Sequence, residues 1–122
     1  MKTNLIQRWP LICALFLVLQ SPAWAHAFLD HSDPTVGSTV TNSPREVKIW
    51  FTQELEPAFS SVQVQEAQGK EVDKKDVHLD EKNKSLLIVS LPKLVPGTYT
   101  VNWHVVSVDT HRMQGHFEFT IK

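Results

Sequence analysis

Cysteine is almost absent from this chain: the one residue, Cys13, lies in an apolar stretch near the N-terminus. From residue 26 onward there is neither a disulfide nor a thiolate. Stability there must come from a packed core, and any metal site must use imidazole, carboxylate, amine or backbone. Zinc sites built from four cysteines and iron–sulfur centres are excluded. A positive charge excess is also missing. The net charge of −1 becomes −3 once Lys2 and Arg8 are set aside, which argues against nucleic acid and slightly favours a cation as partner. After residue 25 there is no second hydrophobic span, no repeat, no low-complexity linker and no convincing helical period.

The first 25 residues read as a secretory signal. Lys2 and Arg8 form a positive leading region, and Leu11–Leu19 an apolar run well short of the ~20 residues that span a bilayer. Pro22 follows, then Ala23-Trp24-Ala25, with small residues where signal peptidase requires them. The expectation is a signal peptide over 1–25 and one small domain over 26–122, 97 residues, large enough to bury a core and fold alone. Export to an oxidising compartment without any disulfide puts the whole burden of stability on that core.

Within the domain, short apolar segments alternate with turn signals. Glu46–Thr52 places Val47, Ile49 and Phe51 on one face and Trp50 on the other, and Ser61–Glu66 alternates strictly with Val62 and Val64 inward. Gln68-Gly69-Lys70 reads as a hairpin turn. Residues 70–84 carry interspersed charges of both signs, as a solvated loop or edge does. Ser85–Leu91 reads as a central strand. Pro96-Gly97 turns the chain into Thr98–Val108, where Tyr99, Val101, Trp103 and Val105 share a face, and Phe117, Phe119 and Ile121 mark a last strand. Ala27–Leu29 gives a short first strand, ended by Ser32-Asp33-Pro34, and Glu54–Ser60 has room for one short helical turn. About seven short strands with regular turns predict an all-β, two-layer antiparallel sandwich. Tyr99 fits a tyrosine-corner arrangement, and Trp103 an inter-sheet core position.

Two pieces of the chain carry ligand chemistry. Cleavage after Ala25 makes His26 the first residue, so that its α-amine and imidazole can close a chelate ring on one metal ion. Asp109-Thr110-His111 supplies a carboxylate and an imidazole at i and i+2, which share a face at the end of a strand. The carboxylate can bind the metal or orient the imidazole through a hydrogen bond. In a sandwich the strand ends gather at two poles, so the N-terminal strand and the 109–111 segment can meet. An amine and two imidazoles make a three-nitrogen set that suits the tetragonal preference of Cu(II). Zn(II) accepts the same donors but favours a tetrahedron.

These residues resemble those of the CopC-type copper resistance proteins of the bacterial periplasm, including the small YobA-like members. The resemblance lies in His26-Ala27-Phe28-Leu29, Ser32-x-Pro34, the block from Gly97 through His111, and Gly115-His116-Phe117-Glu118-Phe119. It implies an Ig-like, cupredoxin-like Greek-key sandwich in the periplasm that binds Cu(II) at one pole. The ligands it implies are the amine and side chain of His26 with Asp109 and His111. It further implies a role in copper homeostasis or resistance, with possible delivery to an inner-membrane CopD-like protein. Some relatives carry a methionine-rich Cu(I) site, but here Met113 is the only methionine after Met1. One copper ion per chain, as Cu(II), is therefore expected. Phe28 stands where many relatives have a second N-terminal histidine.

Three functional classes follow. The first is a monomeric copper carrier without catalysis. The second is a copper monooxygenase-like enzyme built on an N-terminal histidine brace; a domain this small leaves little room for a polysaccharide platform, and an Asp109 ligand would fill the position oxygen needs. The third is a metal-free structural Ig-like module. Of the remaining histidines, His31 beside Asp30 is a surface residue or a transient fourth ligand, and His78 is solvated. His104 and His116 are cross-strand neighbours on a polar face, where two imidazoles could form a weak metal site.

Overall fold

A computed structural model describes residues 28–122; the expected signal segment and His26 lie outside the described residues. Eight strands are present among them: β1 (Leu29–Asp33), β2 (Thr39–Val40), β3 (Glu46–Phe51), β4 (Ser61–Gln65), β5 (His78–Leu79), β6 (Leu86–Ser90), β7 (Gly97–Val106) and β8 (Arg112–Ile121). They form two four-stranded sheets, ordered β1-β3-β6-β5 and β2-β8-β7-β4. The chain is thus all-β and two-layered, as the alternation of apolar residues requires. Three local features differ from the sequence reading. β2 and β5 are two-residue edge strands with too few residues to show a period, β1 runs on through Asp33, and β2 lies parallel to β8 while the other pairings are antiparallel. The short helical turn is a 3-10 turn over Pro57–Phe59.

The two inner faces make one core. Val47, Ile49, Phe51, Leu87 and Val89 of the first sheet meet Val62, Val64, Tyr99, Val101, Trp103, Val105, Phe117 and Phe119 of the second. Burying aliphatic and aromatic side chains at roughly 1.5–3 kcal/mol each is what holds a disulfide-free domain together. Trp103 spans the layers, with its ring edge-on to Phe51 at 5.3 Å and 72°. Opposite it in the β7–β8 ladder stands Gly115, where a Cβ would overlap the indole. The absence of a side chain at 115 is what lets the indole lie flat over β8. The Tyr99 hydroxyl donates to the Val95 carbonyl at 2.6 Å, closing the tyrosine corner, and burial pushes its phenol above the usual range.

The polar stretch 70–84 is tied down by one buried acid. Asp73 accepts from the backbone N–H groups of Val64 and Lys75, both at 2.9 Å, so this loop is anchored against edge strand β4. The hairpin turn at Gly69 forms as expected, with φ +88, a conformation open to glycine at no steric cost.

Candidate metal centre

The Asp109–His111 pair sits in the connection between β7 and β8, residues 107–111. The sequence reading put both residues on a strand end, where alternation would align them. Instead they meet across a turn in which Thr110 takes φ +73, a left-handed conformation uncommon for a residue with a Cβ. Ser107, fully buried, organises that turn. Its N–H donates to the His111 carbonyl, and its carbonyl accepts from Thr110 N–H, each at 2.9 Å. Its hydroxyl accepts from His111 N–H at 3.2 Å and donates to Asp109 Oδ1. Nothing in the sequence singles Ser107 out except its place two residues before an aspartate, a spacing at which hydroxyls commonly support turns.

Asp109 Oδ2 lies 3.1 Å from His111 Nδ1. The Ser107 hydroxyl, followed by the His111 ring, holds the Asp109 carboxyl below the usual carboxylate range. An ionised carboxylate only accepts hydrogen bonds, so this contact is a hydrogen bond when His111 Nδ1 carries a proton. The 3.1 Å spacing also fits a metal, because two cis donors about 2.0–2.2 Å from one ion stand about 3 Å apart. Side-chain exposures of 69% for His111 and 49% for Asp109 leave both open to an incoming ion. Among the described residues, no three His, Cys, Asp or Glu side chains form a metal-holding group; the Asp109–His111 pair offers two donor types.

The hydrogen-bond network places the start of the described chain at the same pole. Val108 N–H donates to the Glu54 carbonyl at 3.0 Å, and Glu56 N–H to the Val106 carbonyl at 2.8 Å. Just upstream, Thr52 N–H donates to the Phe28 carbonyl at 2.9 Å, and Leu29 pairs with Phe51. The short segment 52–54 therefore links residue 28 on one side to the 107–111 turn on the other. Phe28 itself is buried against Phe51, ring centroids 5.5 Å apart.

The other histidines are spread over the surface. A bulge between Leu29 and His31 sets His31 against Trp50, their rings stacked at 4.3 Å and 10°. Its Nδ1 is 2.7 Å from Asp30 Oδ2. His78 is exposed and turns Nδ1 to the Asp76 carbonyl at 2.7 Å. His104 and His116 stand exposed on the outer face of the second sheet. No helix of the described residues is long and apolar enough to cross a membrane.

A two-layer β-sandwich with a carboxylate–imidazole pair presented at one pole defines a class of small all-β domain whose polar turn offers metal-type donors. Comparison with known proteins makes the assignment specific: the CopC domain model matches residues 29–122, and the chain belongs to the CopC family. It is 38% identical over 100 residues to protein YobA of Escherichia coli (strain K12), covering 81% of each chain. It is 30% identical over 106 residues to copper resistance protein C of Xanthomonas campestris pv. juglandis, covering 82% of this chain and 83% of that one. Among solved structures, CopC from Methylosinus trichosporium OB3b superposes with a TM-score of 0.73 at 33% identity, over 80% of this chain and 94% of that one.

Proposed function

We propose that the chain is a periplasmic Cu(II)-binding protein that sequesters or carries copper without catalysing a reaction on it. Residues 1–25 are removed as a signal peptide, and the domain 26–122 begins at His26. One Cu(II) ion is held at the pole by the α-amine and imidazole of His26 together with Asp109 and His111. The chain acts as a monomer and hands copper on to an inner-membrane CopD-like protein. Membership of a family whose relatives are named for copper resistance supports the copper-related part of this reading.

The observation that carries it is the Asp109–His111 pair, fixed by Ser107 and set at the same pole as Phe28. The chemistry follows from the donors. His26 closes a chelate ring, and His111 and Asp109 add an imidazole and an anionic oxygen, leaving the ion at an open edge of the domain from which it can be passed on. The donors are few and solvent-facing, which suits release as well as capture. The test is competition for Cu(II) against a chelator of moderate strength. The protein starting at His26 should retain one equivalent, while His111→Ala should lose it at least tenfold more readily. Equal retention by both would reject the site.

A further inference from the structure

A pair of imidazoles lies on the sheet exterior, a few residues along the β7–β8 ladder from the 107–111 turn. β7 and β8 run antiparallel with Asn102 opposite His116 and His104 opposite Gln114. Because Trp103, Val105 and Phe117 point inward, His104 and His116 project from the opposite, solvent face. They are diagonal neighbours, one pair apart along the ladder, at a separation long side chains bridge. Both border a single shallow hollow of about 300 Å³, shared with Asn102, Gln114 and Gly115. Asn102 donates to Gln65 Oε1 at 3.2 Å, so its amide is already drawn toward β4 and away from the hollow. Neither histidine takes part in a side-chain hydrogen bond or ion pair among the described residues. Glu118 follows His116 by two residues on the same face of β8.

We propose that His104 and His116 form a second, labile site for a borderline divalent cation, Cu(II) or Zn(II), bridged between the two imidazoles and completed by water. Imidazole nitrogens suit these ions over Mg(II) or Ca(II). Two neutral donors on an open sheet face give fast exchange. The site would collect ions on the flank of the domain, separately from the pole.

The test follows the ring carbon–proton resonances of His104 and His116 while Zn(II) alone is added to His111→Ala protein, so that failure of the polar site cannot alter the reading. Both rings should shift along one shared saturation curve. In His104→Gln, the response of His116 should weaken at least tenfold, and in His116→Gln that of His104 should do the same, with circular dichroism unchanged. Two different midpoints, or a surviving imidazole that titrates as before, would show independent single-histidine binding and overturn the proposal. So would no shift in either ring up to millimolar Zn(II).

Discussion

Asp109 Oδ2 and His111 Nδ1 lie 3.1 Å apart across a turn that Ser107 holds from beneath. At that distance a carboxylate oxygen and an imidazole nitrogen can share a proton or stand as neighbouring donors to one metal ion. At the proposed site a proton and a metal ion would therefore compete for the same pair. The competition has a definite direction in pH.

Copper affinity should fall on acidification. The amine of His26 (ordinary pKa ~7.7–8.0) and the imidazoles (~6.5) must shed protons before they bind. Asp109 adds nothing to that fall, because its carboxyl is held below its usual range and stays ionised across the interval. From pH 7.5 to 5.5 the apparent Cu(II) affinity should drop on the order of a thousandfold. Competition titrations at three pH values check this, and a flat profile would exclude amine and imidazole donors.

Ser107 positions the pair that the proposed site uses as donors. Ser107→Ala removes the hydroxyl that donates to Asp109 and accepts from His111 N–H, which frees the carboxylate to rotate. Partners that orient metal ligands typically matter by about 10–100-fold in affinity, and a loss in that range is expected here with the domain still folded. Cu(II) titration paired with thermal melting separates the two effects. Wild-type affinity in this variant would mean that the turn keeps its shape without the hydroxyl.

Gly115 is a packing requirement. Gly115→Ala drives a methyl into the Trp103 indole, and overpacking of this kind costs about 1–3 kcal/mol. Urea unfolding followed by tryptophan fluorescence should show the midpoint falling with little change in slope. An unchanged midpoint would mean that the indole moves aside freely.

Much of this was legible from residue order, and the reasons for the exceptions are physical. Val47/Ile49/Phe51 and Tyr99/Val101/Trp103/Val105 alternate because each sheet has one buried face. The Tyr99 corner followed from its place after Pro96-Gly97. β2 and β5 left no trace, since two residues carry no period and their pairing is imposed by β8 and β6. The first half of β8 was hidden for another reason: Gly115 occupies an inward position where an apolar residue would signal a strand, because Trp103 already fills that space. At the pole, residue types announced Asp109 and His111, but the turn that joins them depends on a left-handed Thr110 and a buried Ser107, which no spacing rule contains.

A single comparison tests whether the α-amine of residue 26 is a copper ligand. Cu(II) binding is measured by competition and electron paramagnetic resonance for protein starting at His26 and for protein with one extra residue before it. The amine-terminal form should bind one Cu(II) with a tetragonal spectrum, and the extended form, in which His26 is an internal amide, should bind at least a hundredfold more weakly. Equal affinity and identical spectra in the two forms would contradict the account.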